Sequence, residues 1–130
     1  MTTTEKNNQD KKTVFAVEDD IFLVKVYKTV FEKEQIEVWI AANGNEALKF
    51  LEKEPPDAVL LDLMLPGISG FDVLAEIRKN EKWKKVPVII LSNLGQPQDM
   101  ERGKALGANE YIVKANVKIN EVVETVKKYL

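Results

Sequence analysis

Short runs of apolar residues alternate along the chain with longer segments in which apolar residues recur every three to four positions. The short runs are too brief for helices and predict five strands, at Thr13 to Val17, Glu37 to Ala42, Ala58 to Leu61, Val86 to Leu91 and Tyr111 to Val113. The periodic segments predict five helices, at Ile21 to Glu34, Glu46 to Lys53, from Ser69 or Gly70 past Ile77, Gln96 to Leu106 and Val117 to Leu130. Strands that alternate with helices form βαβ units. The pattern therefore predicts an α/β fold in which a doubly wound, five-stranded parallel sheet lies between two layers of helices.

Local signals add detail to several of these elements. Asp20 stands where the N-cap of the first helix is expected. Two strands, Ala58 to Leu61 and Val86 to Leu91, are apolar almost throughout, which is typical of strands buried on both faces of a parallel sheet. The buried stripe of the third helix is predicted at Phe71, Val73, Leu74 and Ile77. The fourth helix contains Gly103, which costs about 1 kcal/mol relative to Ala in a helix interior, so we expect this helix to be a moving part.

Composition indicates one folded domain. The 130 residues are 45% hydrophobic and 31% charged, enough for a single core, which we place in residues 13–130. Residues 1–12 are polar and predict a flexible N-terminal tail. No membrane-spanning apolar run and no secretory leader occurs, so we expect a cytoplasmic protein that does not bind membranes. A net charge of −2 gives no electrostatic basis for nucleic-acid binding.

Cysteine and histidine are both absent from the sequence. The first absence excludes disulfide and thiolate chemistry, and the second excludes an imidazole base. Any metal must then be bound by oxygen atoms, which favours a hard cation such as Mg²⁺, with Mn²⁺ as a second candidate.

Four of the five predicted strands end in a reactive polar side chain. Glu18 and Asp19 follow the first strand, Asp62 the third, Ser92 the fourth and Lys114 the fifth. Each alone has an ordinary explanation, because acidic residues can begin the next helix and Asp62 can cap a turn. Parallel strands, however, bring their carboxyl ends to one edge of the sheet, where ligands bind. We therefore expect these side chains to share one crevice.

Phosphoryl transfer onto Asp62 is the chemistry that suits this set of residues. Three carboxylates in a small space need countercharge, which Lys114 and a divalent cation can supply. In this interpretation Asp62 is the nucleophile, Asp19 binds the metal directly and Glu18 binds it mostly through water. Lys114 pairs with the arriving anion as a point charge, and Ser92 donates its hydroxyl to a phosphoryl oxygen.

The first predicted helix carries more apolar residues than its inward stripe requires. Ile21, Phe22 and Val24 lie outside that stripe, and we expect at least one of them to face outward beside the acidic residues. An exposed apolar spot next to a site can serve as a docking surface. The alternative, in which these residues widen the core face, has equal weight on helix geometry alone.

Over residues 13–130 the chain resembles the receiver domain of two-component response regulators, in the form of the CheY-like single-domain regulators. The motifs that carry the resemblance are VEDD at 17–20, LLDLMLPGISGFDVL at 60–74, VIILS at 88–92 and GANEYIVK at 107–114. The resemblance implies a flavodoxin-like (βα)5 three-layer sandwich with strand order 2-1-3-4-5. It also implies a phosphorelay signalling switch that catalyses its own phosphorylation and is not a turnover enzyme.

The resemblance assigns roles to individual residues. Asp62 would be the phosphoacceptor, and Mg²⁺ would be bound by Asp19, Asp62 and the backbone carbonyl of Met64. Ser92 and Tyr111 would form a switch, in which the tyrosine turns inward as the serine hydroxyl moves towards the phosphoryl group.

Two surfaces would bind partners, according to the same resemblance. A sensor histidine kinase or a histidine phosphotransfer protein would dock on the first helix at Ile21, Phe22 and Val26, and would supply the phosphohistidine that this chain lacks. The face formed by the fourth helix, the fifth strand and the fifth helix would bind a downstream target protein or a second receiver copy. No output domain follows Leu130 in this sequence, so we expect the effect to pass to such a partner or to a domain beyond it.

The chain departs from the family pattern at four positions. Ala115 replaces the usual proline after Lys114, and since a cis bond before a non-proline residue costs about 2.5 to 4 kcal/mol, we expect a trans peptide there. Asn93 stands where the family prefers Ala or Gly and could narrow access to Asp62. Met64 and Leu94 are apolar where relatives often carry polar groups that steer the attacking water, so we predict slow self-dephosphorylation.

Two other functions compete with the signalling switch. A pseudo-receiver, which keeps the fold but signals without phosphate, is opposed by the intact Asp19, Asp62, Ser92 and Lys114. A phosphatase of the haloacid-dehalogenase type needs its nucleophile after the first strand, and a Toprim nuclease needs a carboxylate at Met64. Neither of the two enzyme patterns is present.

Overall fold

A five-stranded parallel sheet forms the centre of the molecule, whose computed structural model describes residues 11–130. The predicted tail at 1–12 lies outside the described residues except for Lys11 and Lys12, which are exposed. The strands are β1 (Thr13–Val17), β2 (Glu37–Ala41), β3 (Ala58–Leu61), β4 (Val88–Ser92) and β5 (Glu110–Val113). Their order across the sheet is β2-β1-β3-β4-β5 and every pairing is parallel, so the predicted fold class and strand order are confirmed.

Five helices connect and follow the strands in this part of the chain. They are α1 (Ile21–Lys33), α2 (Gly44–Phe50), α3 (Gly70–Lys79), α4 (Pro97–Ala105) and α5 (Ile119–Lys127), with a 3₁₀ turn at Lys114–Asn116 before α5. None of these helices combines the length and apolarity needed to span a bilayer.

The helices cover the two faces of the sheet. On one face, the alternate strand residues Phe15, Val59 and Ile90 pack with α2 and α3. On the other face, Val14 and Leu60 pack with Tyr27 of α1 and with buried residues of α5. Because strand side chains alternate between faces, continuous apolar strands supply both cores. The result is the three-layer sandwich that the pattern predicts.

Some predicted element ends were wrong by a few residues. The start of β4 at Val86 was wrong because Pro87 has no N–H, and the strand begins at Val88. Helix α2 begins before Glu46, since the Asn43 side chain caps it by accepting a hydrogen bond from the Glu46 N–H at 2.9 Å. Helix α5 does not begin at Val117 but two residues later, after the 3₁₀ turn.

Trp83, in the loop between α3 and β4, is a core residue that the sequence pattern did not identify. Its side chain is fully buried, and its indole N–H donates to the Lys53 carbonyl at 2.9 Å. Its ring packs edge-on against Phe15, with 5.8 Å between ring centroids. A large aromatic ring with a satisfied polar atom contributes strongly to a core, so Trp83 anchors this loop to the sheet.

Gly103 brings α4 unusually close to the sheet. A Cβ atom at this position would lie 2.8 Å from Ile90 Cδ1 and 3.2 Å from Tyr111 Cδ2. The glycine therefore places the helix directly on the Tyr111 ring, although it weakens the helix itself. The Arg102 guanidinium also lies 4.2 Å from the centre of the Phe71 ring, which joins α4 to α3 through a cation–π contact.

Candidate functional site

The register of the sheet brings four loops together at its carboxyl edge. Val17 of β1 pairs with Leu61 of β3, so Glu18 and Asp62, the residues that follow, lie side by side at the edge. Ser92 pairs with Val113, the residue before Lys114. The predicted site residues therefore follow strand ends that are level with one another.

Lys114 is the centre of the contacts in this crevice. Its Nζ lies 2.9 Å from Asp62 Oδ2 and 3.0 Å from Glu18 Oε1. Both carboxylates are buried, with 2% of Glu18 and 5% of Asp62 exposed. One ammonium thus pairs with two buried carboxylates at once, and a net negative charge remains.

The charges of the crevice alter the pKa values of these groups. Burial raises the pKa of Glu18 above its ordinary value, although the hydrogen bond and the charge of Lys114 oppose the change. Burial by itself lowers the pKa of Lys114, but its hydrogen bonds to Asp62 and Glu18 outweigh this effect and leave the pKa above its ordinary value. Lys114 consequently stays positively charged at neutral pH.

Glu18 has two further hydrogen-bond donors. The Tyr27 hydroxyl donates to Oε1 at 3.2 Å, and the Asp20 N–H donates to Oε2, also at 3.2 Å. Burial and the neighbouring Glu18 charge raise the pKa of Tyr27 far above its ordinary value, so this hydroxyl remains a donor. Sequence analysis did not identify Tyr27 as part of the site. The available signal was a tyrosine in a buried stripe, since such a hydroxyl needs a polar partner.

Oxygen atoms suited to a hard cation converge beside Lys114. Carboxylate oxygens of Glu18, Asp19 and Asp62 lie within 4.8 Å of one another, and Asp19 is the exposed member. Asp62 Oδ1 also accepts a hydrogen bond from the Met64 N–H at 3.1 Å, and the Met64 side chain is exposed. A set of carboxylates without nitrogen or sulfur ligands fits Mg²⁺ or Mn²⁺.

Gly70 lets the start of α3 approach the Asp62 backbone, a role that sequence analysis did not foresee. A Cβ atom here would lie 2.6 Å from the Leu63 Cα, closer than real Cβ contacts occur. The Gly70 N–H instead donates to the Leu63 carbonyl at 3.0 Å. This close contact fixes the loop that carries Asp62 against the helix.

Ser92 and Tyr111 both contact the loop between β4 and α4. Ser92 is fully buried, and its Oγ accepts a hydrogen bond from the Leu94 N–H at 3.3 Å. The half-buried Tyr111 donates its hydroxyl to the Leu94 carbonyl. Asn93, between Ser92 and Leu94, is exposed. Leu94 is therefore held through both its N–H and its carbonyl, which links the two residues of the predicted switch.

The start of α1 is apolar and exposed beside the crevice. Ile21 and Phe22 are each 72% exposed, so the expectation that at least one of these residues faces outward is confirmed. Val24 and Val26 are half-buried. The Asp20 side chain caps the helix by accepting a hydrogen bond from the Phe22 N–H at 2.9 Å, as predicted.

The peptide between Lys114 and Ala115 is trans, because residues 11–130 contain no cis peptide bonds. The expectation for Ala115 is confirmed. The chain then enters the 3₁₀ turn at Lys114–Asn116, which precedes α5.

Residues 14–127 match the response regulator receiver domain. The chain belongs to this family. Receiver domains are the phosphorylatable modules of two-component signalling; they bind Mg²⁺ at an acidic pocket and interact with histidine kinases and downstream effectors. They are signalling modules and not metabolic enzymes of the ordinary kind.

Two receiver-domain relatives illustrate the range of the similarity. The polar-differentiation response regulator DivK of Brucella anthropi is 31% identical over 119 residues, which cover 92% of this chain and 96% of DivK. The probable transcriptional regulator ycf27 of Cyanophora paradoxa is 37% identical over 105 residues, which cover 81% of this chain. The match covers only 43% of ycf27, so this receiver domain spans about two fifths of that relative.

A solved structure resembles this receiver domain over most of its length. It is the receiver domain of the sensor histidine kinase PA1611 from Pseudomonas aeruginosa PAO1, which is 27% identical and superposes with a TM-score of 0.82. The similarity covers 92% of this chain and 97% of the other. That structure has a magnesium ion coordinated in the active site cleft.

Proposed function

We propose that this chain is a phosphorylatable switch that accepts a phosphoryl group on Asp62 from the phosphohistidine of a partner protein. The observation that carries the proposal is the Lys114 ammonium, placed 2.9 Å from Asp62 and 3.0 Å from Glu18 at the edge of an acidic crevice. Such a crevice has one cation already in position for an additional anion. The partner is a sensor histidine kinase or a histidine phosphotransfer protein, since this chain contains no histidine.

The reaction is a transfer between two nucleophiles. A carboxylate oxygen of Asp62 attacks phosphorus, so that a P–O bond forms while the P–N bond to the partner's imidazole breaks. The electron pair of the broken bond stays on the imidazole nitrogen, which takes up a proton. Lys114 then pairs with the phosphoryl oxygens, and the Ser92 hydroxyl donates to one of them.

A divalent cation in this crevice would be held directly by Asp19, Asp62 and the backbone carbonyl of Met64, and by Glu18 mostly through water. A divalent cation there supplies positive charge that offsets the charge on the phosphoryl oxygens. The exposed Asp19 leaves the metal position open to a phosphodonor from solvent.

The output follows from a shift between two conformations. A phosphoryl group that binds Ser92 and Lys114 better in one conformation increases the population of that conformation. The hydrogen bonds of the β4–α4 loop with Ser92 and Tyr111 supply the link to the surface formed by α4, β5 and α5. That surface binds the downstream target or a second copy of the chain, while Ile21, Phe22 and Val26 form the docking site for the phosphodonor protein.

The test of this function is intact-mass analysis after incubation with acetyl phosphate and Mg²⁺. We expect a gain of one phosphoryl group per chain. Chelation of the metal with EDTA should lower the rate of uptake by about a hundredfold, because metal charge stabilisation is worth several kcal/mol. Restoring Mg²⁺ should restore the rate. A chain that never gains phosphate under these conditions is a pseudo-receiver, and the proposal would be wrong.

Met64→Asn is expected to shorten the lifetime of the phosphorylated protein. The Met64 side chain is 56% exposed beside the Asp62 loop, and an amide at this place can hold the attacking water where a thioether cannot. We expect roughly tenfold faster loss of phosphate, a small part of what positioning of a reactant can contribute. The matched control is Met100→Asn, on the exposed surface of α4. Equal lifetimes in the wild type and Met64→Asn, measured by intact mass over time, would contradict the prediction.

A further inference from the structure

Three hydrogen-bond donors surround the buried Glu18 carboxylate. It is 2% exposed and accepts hydrogen bonds from Lys114, Tyr27 and Asp20. Lys114 and Tyr27 both contact the same oxygen, Oε1, at 3.0 Å and 3.2 Å. The ammonium and the hydroxyl are therefore two donors for one buried acceptor.

Lys114 must share its ammonium among three anionic groups when a phosphoryl group arrives. Its ammonium has three N–H bonds, and it already contacts Asp62 at 2.9 Å and Glu18 at 3.0 Å. A phosphoryl group on Asp62 carries more negative charge than the carboxylate that it replaces, and it attracts the ammonium more strongly. As Lys114 turns to the phosphoryl oxygens, its contact with Glu18 weakens. A buried carboxylate with too few donors is strongly unfavourable.

Tyr27 is placed to compensate for that loss. Its ring is buried in the core beneath α1, and within residues 11–130 its hydroxyl makes a hydrogen bond to Glu18 alone. Any large apolar residue could fill the core at this position, but only the hydroxyl reaches the carboxylate.

We infer that Tyr27 is a positioning residue that holds Glu18 in place while Lys114 transfers from Glu18 to the phosphoryl group. The inference rests on the proposed function, since it concerns the anion-bound state of the same crevice. Its specific consequence is that the Tyr27 hydroxyl matters more for binding of a phosphoryl group than for binding of Mg²⁺ alone, because Lys114 remains on Glu18 until the anion arrives.

The test compares two binding constants in the wild type and Tyr27→Phe. Beryllofluoride, a non-hydrolysable mimic of the phosphoryl group, is titrated at saturating Mg²⁺ and followed by two-dimensional amide NMR. Mg²⁺ alone is titrated by calorimetry. In Tyr27→Phe we expect beryllofluoride binding to weaken by about tenfold, as for loss of a hydrogen bond to a charged group. The dissociation constant for Mg²⁺ should change by less than about twofold, because Lys114 still satisfies Glu18.

Tyr129→Phe is the matched control. Its hydroxyl, beyond the end of α5, also donates to a carboxylate, that of Glu110, which begins β5 at the end of the strand away from the crevice. This variant should bind both ligands as the wild type does. A second check compares the single variant Glu18→Gln with the double variant that carries both Glu18→Gln and Tyr27→Phe. If the hydroxyl acts through the carboxylate, removing it from the Glu18→Gln variant should weaken beryllofluoride binding by less than it does in the wild type.

The outcomes separate this inference from the proposed function. A wild-type protein that binds no beryllofluoride in Mg²⁺ would overturn both. Tight binding by the wild type and equally tight binding by Tyr27→Phe would overturn the role of Tyr27 alone. An equal loss of affinity for Mg²⁺ and for beryllofluoride would also overturn it, because the hydroxyl would then be maintaining the crevice in general.

Discussion

Asp62→Asn should abolish phosphate uptake from acetyl phosphate, with the rate falling by more than about a thousandfold, as when a nucleophile is removed from a covalent mechanism. An amide is neutral and a poor nucleophile, so it forms no acyl phosphate. The substitution is close to isosteric, and the side-chain oxygen can still accept the hydrogen bond from the Met64 N–H. The variant should therefore fold, and its loss of phosphate uptake should result from the missing nucleophile. The measurement is intact mass after timed exposure to acetyl phosphate and Mg²⁺.

Asp72→Asn is the control for the Asp62 experiment. Asp72 lies exposed in the first turn of α3, outside the crevice, and its loss should not alter uptake. Peptide mapping of the phosphorylated wild type should place the phosphate on the peptide that contains Asp62. Phosphate uptake by Asp62→Asn at the wild-type rate would show that another residue is the acceptor.

Lys114→Met should impair both phosphorylation and folding. Methionine keeps the length of the side chain but leaves Glu18 and Asp62 without the cation that now lies within 3.0 Å of each. Removing one partner from a buried ion pair typically costs about 3 to 5 kcal/mol, and we expect a loss near the lower end because 18% of the Lys114 side chain is exposed. Phosphate uptake should fall by about a hundredfold through the loss of a preorganised charge.

Urea unfolding followed by tryptophan fluorescence measures the stability of this variant. Part of the lost stability should return when Mg²⁺ is added, because a bound cation supplies the missing charge. The control is Lys127→Met, since Lys127 also pairs with two carboxylates, those of Glu34 and Glu124, but in an exposed position. Exposed pairs contribute little, so this variant should unfold close to the wild-type midpoint. Equal midpoints for the two variants would contradict the role assigned to Lys114.

The order of strands and helices could be predicted well because apolar periodicity reports burial directly. Strand β3 has the predicted bounds of Ala58 and Leu61, since it is apolar throughout and lies in the centre of the sheet. The ends of helices were less predictable, because a single hydrogen bond can determine the residue at which a helix begins. The Glu121 carboxylate accepts from the Lys118 N–H at 2.8 Å and sets the start of α5, a choice that the apolar positions do not reveal.

The candidate site could be located from sequence for a topological reason. Parallel strands end at the same edge of the sheet. One can therefore predict that the residues after β1, β3 and β5 meet there, even when their side-chain contacts are unknown. The contributions of Tyr27 and Gly70 were not predictable in the same way. The Tyr27 hydroxyl reaches Glu18 from another element, and Gly70 matters because of a backbone contact near Asp62. Both depend on distances across the fold.

The contact between Lys114 and Asp62 joins residues 52 positions apart, and Lys114 follows the last strand of the sheet to be synthesised. A growing chain on the ribosome therefore carries Asp62, Glu18 and Asp19 well before it carries the Lys114 ammonium. The ion pair at the crevice therefore forms only after β5 has joined the sheet, and it ties the completion of the fold to the completion of the site.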